Sequence, residues 1–554
     1  MCGILAVIGN ADLQEATELS KQLSHRGPDE RDSVVTKHGH ILCHERLAIV
    51  DLNTGKQPLV GREDNYLIHN GEIYNHKELA RQYCHDHKFK TNSDSEIILH
   101  LYQEKGERFL DLLDGVFAFV LVDGDKVFAG RDPIGVKPLF YGHDELGNLW
   151  FASETKALIT KCIEINEFPP GHYYTQEAGF VRYFKPAWFC GEKAVEGPEL
   201  IHDTLVAACK KRLMSDVPLG VLLSGGLDSS LVSSIVAKEF KKSGKTLKSF
   251  SVGLSKGSSD LEKARKVAEF LGTEHHEIIF TAEQGIQILR DLIWKTETYD
   301  VTTIRASTPM LLMSKYIKQC GVKVVMSGEG ADEMFGGYLY FSNAPSEEEF
   351  HGECLRRVKR LHTSDVLRAD RSTMGEGVEA RVPFLDKEFL KVVMSLDPKY
   401  KTIIKGERME KDVLRQAFNR KGSDGQAYLP DEVLWRQKEQ FSDGVGYSWV
   451  DSLKELADRI ISEEEFSKRN ELFPHNTPFT KEAFMYRVIH SEFYGHKDSA
   501  ALIKKWIPRW QDYDIDPSGR ANTYHTETYH EEGHDEDQAD EVNCFSDNDV
   551  AMMG

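Results

Sequence analysis

Three groups of residues carry chemistry by their type and spacing. The first, Leu222-Leu-Ser224-Gly-Gly-Leu-Asp-Ser-Ser230, follows an apolar run and opens a helical pattern on hydroxyls. Glycines let the backbone approach a ligand, and a helix N-terminus offers unpaired N–H groups and partial positive charge suited to phosphate or pyrophosphate. A lone Gly-Gly equally marks a capped turn. Ser224, Gly225, Gly226, Asp228, Ser229 and Ser230 together, directly after a buried strand, favour an anion cradle. Ser243-Gly-Lys-Thr246 imitates a Walker fragment, but Glu239 stands where its first glycine belongs and a helix precedes it, so it reads as an ordinary turn.

The second group is Cys2 behind the initiator methionine. Removal of Met1 would put a thiol and an α-amine of pKa roughly 7.7 to 8.0 on one residue. Such an amine can act as base for its own thiol. The third is Met326-Ser327-Gly328-Glu329-Gly330-Ala331-Asp332-Glu333, which ends an apolar run in glycines and acids. It reads either as a solvated acidic loop or as a seat for Mg²⁺, whose preference for oxygen suits it to bridging ATP phosphates.

These residues need elements to hold them. To about residue 190 the chain shows short apolar runs separated by turns: Ile41-Leu-Cys-His, Tyr66-Leu-Ile-His, Val116 to Val122 and Lys126-Val-Phe-Ala, with a helical stretch from Ser95 to Lys105 capped at Ser93 or Asp94. This predicts an α+β domain of stacked antiparallel sheets flanked by helices, over 2–190. A linker is expected at 191–200. Beyond it strands and helices alternate: Gly220-Val-Leu-Leu, a helix from Ser229 to Lys241, Lys248 to Leu254, a helix from Asp260 to Leu271, His276 to Phe280 and Lys323-Val-Val-Met. That rhythm predicts an α/β doubly wound parallel sheet over 201–520, with ligands at the carboxyl ends of its strands and a helical part after Pro383.

Met1-Cys2-Gly3-Ile4, His25-Arg-Gly-Pro-Asp29, His44-Glu-Arg46-Leu-Ala-Ile-Val-Asp51, His69-Asn70-Gly71-Glu72-Ile-Tyr-Asn75, Ser93-Asp94-Ser-Glu96 and Gly130 to Tyr141 resemble, in that order, the glutaminase domain of N-terminal-nucleophile amidotransferases. With the later Ser-Gly-Gly loop, which looks like that of ATP-pyrophosphatase-type ligases, the whole resembles the glutamine-dependent asparagine synthetases. The resemblance implies Cys2 as nucleophile, Asn70 and Gly71 as oxyanion hole, and Arg46, Ile49, Val50, Glu72 and Asp94 around glutamine. It further implies ATP contacts at Leu223, Ser224, Gly225, Gly226, Asp228, Ser229, Val252, Ser327 and Gly328, a role for Glu329 at the acyl-adenylate, and Mg²⁺ on Asp228 and Asp332. Thr303, Arg305, Arg381 and Lys438, from three further family-like motifs, are expected at the aspartate and adenylate site, where cations would screen a carboxylate attacking polyphosphate. Two positions depart from the pattern: Glu30 follows His-Arg-Gly-Pro-Asp where an aromatic is common, and Lys421-Gly-Ser-Asp-Gly425 forms a small polar loop.

Composition narrows the partners. A formal charge of −20 argues against nucleic acid and acidic membrane surfaces. Half of it lies after Arg520, where ten acidic residues stand with no Lys or Arg, a stretch read as a solvating, disordered tail over 521–554. Nine scattered cysteines without a CxxC pair, and the lack of an apolar run near the roughly 18 residues a membrane helix needs, suggest a reduced cytoplasmic protein acting on small molecules. A homodimer is the candidate assembly.

Overall fold

A computed structural model describes residues 2–62, 64–191, 197–255, 258–437, 447–495 and 497–510. Lys438, half of the expected linker (192–196) and the acidic tail lie outside them. The amino-terminal strands are β1 (Gly3–Ile8), β2 (Glu30–Val35), β3 (Ile41–Arg46), β4 (Leu59–Val60), β5 (Asn65–Ile73), β6 (Gly115–Asp123), β7 (Lys126–Arg131), β8 (Phe140–Asp144), β9 (Leu149–Ala152), β10 (Cys162–Glu167), β11 (His172–Thr175) and β12 (Gly179–Arg182). They form two antiparallel sheets, in the orders β10-β8-β9-β1-β3-β2 and β12-β11-β7-β6-β5-β4.

Side chains alternate across a strand, and both faces of the central strands are apolar. In β1, Ile4, Ala6 and Ile8 join Ala118, Val120 and Val122 of β6 between the sheets. Leu5 and Val7 turn outward to Ala16 of the helix Leu13–Lys21. Phe117, Phe119 and Leu121 pack outward with Leu79, Ile97 and Leu101, from the helices His76–Tyr83 and Glu96–Lys105. The unbroken Val116–Val122 run is therefore a strand covered on both sides. One local expectation changes: Ser95 is the N-cap of its helix and makes no side-chain cap bond. Asp94 instead accepts a hydrogen bond from Ile73 N at 2.7 Å, which frees it from capping and ties it to β5.

The third sheet is parallel, in the order β15-β14-β13-β16-β17, from β13 (Leu219–Leu222), β14 (Lys248–Gly253), β15 (Glu274–Ile279), β16 (Val324–Met326) and β17 (Glu379–Arg381). Its two faces feed separate cores, Val221, Val324 and Met326 on one side and Leu222, Phe250 and Val325 on the other. The order reverses at β13 and β16, so the loops after these strands flank a switch-point crevice. Leu47, Ile49 and Val116 of the amino-terminal part share a core with Ile201 and Leu205, which locks the two parts together.

Candidate active sites

Cys2 immediately precedes β1 and is 6% exposed. Its N donates to Asn70 Oδ1 at 2.9 Å. Among the described residues, buried Asn70 Nδ2 has no hydrogen-bond partner, so a donor is left unused on the amide that holds Cys2 N. At Gly71 the backbone takes φ +153, and a Cβ would meet Val116 O at 2.1 Å, so only glycine fits against β6. Burial pushes the Cys2 thiol up, which means that its proton must be handed to a base during attack. Arg46, at the end of β3, donates to Asp51 O at 2.6 Å and to Glu30 Oε2 at 2.5 Å. Ile49 is buried in the segment after β3, and Val50 is half-buried beside it.

Glu72 and Asp94 form a buried acidic pair. Burial, Glu379 and Asp94 push the Glu72 carboxyl well up, against the pull of Arg381. Among the described residues Glu72 Oε2 has no hydrogen-bond partner, while Arg381 Nη2 lies 3.2 Å from Oε1. An ammonium group would relieve the repulsion between the two carboxyls. His44 and His69, both buried in the same region, are pushed down to about 3 by burial and are neutral.

The second site is a cavity at the carboxyl ends of β13, β14 and β16. Leu223, Ser224, Gly226, Asp228, Ser229, Val252, Thr303, Ser327, Gly328, Glu329 and Asp332 all line it. The helix Leu227–Lys242 starts there with Gly226 as N-cap and no side-chain cap bond. Ser224 Oγ and Ser229 Oγ are hydrogen-bonded at 2.9 Å, folding the loop back on the first helical turn. A Cβ on Gly328 would meet Ser229 N at 2.6 Å, so the acidic loop closes on that turn only because it carries glycine. The Ser243–Thr246 segment is the expected turn after this helix.

Not every expected residue reaches the cavity. Gly225 is not part of its lining; its carbonyl accepts from Arg436 Nη1 at 3.1 Å. Arg305 is turned from it into a buried fork with Glu482, through Nε at 2.9 Å and Nη2 at 2.5 Å. Arg381 lies on edge strand β17, bonded to Glu379 Oε1 and the carbonyls of Arg212 and Met214. Its Nη2 reaches to 3.2 Å from Glu72 Oε1, which places it at the Cys2 end. Thr303 lines the cavity while its hydroxyl donates to Asp300 at 2.8 Å.

Other charged groups lay beyond sequence reasoning. Lys411 Nζ lies 2.5 Å from both Asp228 Oδ2 and Asp332 Oδ1. Arg368 Nη2 donates to Glu329 Oε2 at 2.7 Å. Two residues along the same helix, Asp365–Met374, Asp370 accepts from Arg26 at 2.8 and 3.2 Å, and Arg26 Nε donates to Cys2 O at 3.1 Å. One helix thus touches groups of both sites. Between them, burial works against the charge of Glu154, but Lys156, Arg371, His25 and Arg26 hold its carboxyl well below the usual range.

Family models match at residues 1–183 (glutamine amidotransferase domain) and at 200–349 and 342–511 (asparagine synthase). The chain is 51% identical to a Schizosaccharomyces pombe protein named a probable glutamine-hydrolysing asparagine synthetase, over 95% of this chain and 99% of that one. It is 50% identical to glutamine-hydrolysing asparagine synthetase 3 of Arabidopsis thaliana, over 94% of each chain.

Proposed function

Because the chain belongs to the glutamine-hydrolysing asparagine synthetases, we propose how its own residues divide the work. The enzyme makes L-asparagine from L-aspartate and ATP, with ammonia taken from glutamine. The division rests on one observation: a single chain holds a buried cysteine bonded through N to Asn70, and a separate cavity walled by the Ser-Gly-Gly loop and the acidic loop.

In the first half-reaction Cys2 Sγ attacks the side-chain amide carbon of glutamine. The α-amine freed by loss of Met1 takes the thiol proton and delivers it to the leaving ammonia. Asn70 Nδ2, whose partner position is vacant of any protein group, and Gly71 stabilise the oxyanion. Arg46 receives the substrate carboxylate; Glu72 and Asp94 receive its ammonium. Water then cleaves the thioester to glutamate.

In the second, an oxygen of aspartate's side-chain carboxylate attacks the α-phosphorus of ATP, and pyrophosphate leaves into the cradle of Ser224, Gly226 and Ser229. Ammonia attacks the acyl carbon of β-aspartyl-AMP, and AMP departs. Arg368 orients the Glu329 carboxylate at 2.7 Å, a position from which it can accept a proton from the incoming nitrogen.

Asp228 and Asp332 fit a Mg²⁺ ion, since buried Asp228 Oδ1 has no hydrogen-bond partner among the described residues and Lys411 already places one cation between the two carboxylates. Held by these two carboxylates, Mg²⁺ would supply positive charge to offset that of the polyphosphate. Cytoplasmic residence belongs to the same proposal. The eight described cysteines form no disulfide, and no described helix is long and apolar enough to cross a membrane. The deciding experiment supplies aspartate, glutamine and Mg-ATP and identifies the products. AMP with pyrophosphate is expected; ADP with phosphate would refute adenylation.

A further inference from the structure

Glu30, the first residue of β2, stands directly opposite Arg46 across the β2–β3 ladder. Its carboxylate accepts from Arg46 Nη1 at 2.5 Å, with the arginine side chain 5% exposed and the glutamate 43%. The other terminal nitrogen of Arg46 is held by Asp51 O. Neighbouring acids are engaged elsewhere. Asp29 Oδ2 accepts from Ala48 N and pairs with Lys323 at 2.8 Å, and the Asp51 carboxylate accepts from Thr54 N and Asn92 N. Among the described residues, Glu30 is the carboxylate that pairs with this guanidinium.

We propose that Glu30 is an internal competitor for the α-carboxylate of glutamine: it occupies Arg46 in the free enzyme and must swing away before substrate binds. The inference rests on the reading that Arg46 receives that carboxylate. Two carboxylates cannot share one side of a guanidinium without repulsion, and the fork that suits one suits the other. Arg46 is buried and fixed, whereas Glu30 is part-exposed and can rotate into water, so the glutamate yields. No hydrogen bond joins Glu30 to Cys2, Asn70 or Glu72 among the described residues, so its displacement acts on binding and leaves the reacting amide untouched. Glu30 is therefore a specificity-setting residue that raises KM for glutamine.

The test uses the full-length enzyme and measures glutamate release against glutamine concentration. Because a part-exposed ion pair is weak, Glu30→Gln is expected to lower KM by about two- to five-fold with kcat within about two-fold. Ammonia-driven asparagine synthesis stays unchanged. The α-carboxamide of glutamine, which lacks the competing charge, gains nothing from the substitution. An unchanged or raised KM for glutamine overturns the inference, as does an equal gain for the carboxamide, which would make Glu30 a mere obstruction at the entrance. Arg46→Ala, its fold checked by ammonia-driven synthesis, separates the two levels. If it leaves KM for glutamine unaltered, the Arg46 assignment falls and the inference with it; if it raises KM while Glu30→Gln changes nothing, the inference falls alone.

Discussion

The two sites hold their reactive groups in opposite ways. Around Cys2, the residues Asn70, Glu72 and Asp94 are each at most 3% exposed, and they come from β5 or are bonded to it. Around the cradle, Ser224, Gly226, Ser229, Gly328, Glu329 and Asp332 are all half-buried and sit on loops or first helical turns at strand ends. A small amide substrate with a fixed charge pattern suits a dry pocket built on rigid strands, where each lone polar atom waits for one partner. A triphosphate needs room and many N–H groups, which loops at a sheet's switch point supply. Electrostatics differ too. The Cys2 side carries a buried acidic pair with the Arg381 guanidinium 3.2 Å from one oxygen of Glu72, and the cradle side has a lysine seated between two acids.

The strongest way to break this comparison is at the nucleophile. Cys2→Ala is expected to lower glutamine-driven synthesis by roughly 10³-fold or more while ammonia-driven synthesis stays within about two-fold. Equal loss with both nitrogen donors would mean that the sites are not separable. On the other side, Asp228→Asn should cut synthesis from either donor roughly 100-fold and leave glutamate release by Cys2 largely intact. Asparagine and glutamate assayed on the same samples decide it.

Acid sharpens the contrast with a smaller effect. His44 and His69 titrate in the folded protein near 3, far below the unfolded value of roughly 6.5. Folded-state pKa values are depressed, so the unfolded chain binds these protons first. Stability is full above about pH 6.5 and is lost as pH falls, on the order of 1–2 kcal/mol per histidine at pH 5. Glu333, beside the cradle, has the opposite sign: burial and Asp365 with Asp332 push its carboxyl well up, so its contribution is present at low pH and is lost as pH rises. Hydrogen exchange at pH 7 and pH 5 should therefore show protection falling first in β3 and β5, while β13 and β16 hold. Uniform loss would count against the assignment.

Much of the fold was legible because its signals are local. The Val116–Val122 run, the Ser95–Lys105 periodicity and the β–α alternation after residue 219 depend on neighbours within a few positions. The cradle was legible for the same reason: strand, Ser-Gly-Gly turn and helix are contiguous. Arg305 and Arg381 lie outside the cavity lining, because a cationic residue in a suggestive motif carries no information about which carboxylate it will meet. Arg305 met Glu482, and Arg381 met Glu379 and Glu72. Asp94 had the composition of a helix cap, but a β5 backbone N–H bonded its carboxylate.

What the sequence determined by itself was the chemistry on offer: a thiol at position 2, an amide-glycine pair, a Ser-Gly-Gly turn opening a helix and an acidic loop, each written in adjacent residues. Tertiary structure alone decided how those groups are charged and joined. Lys411 reaches Asp228 across 183 positions and Arg26 reaches Asp370 across 344, contacts that exist only once two sheets and the helix Asp365–Met374 have packed. The reason is physical. A strand or turn forms from short-range backbone preference, but a buried charge is tolerated only where folding delivers a counter-charge, and the partner comes from wherever in the chain the packed core brings it.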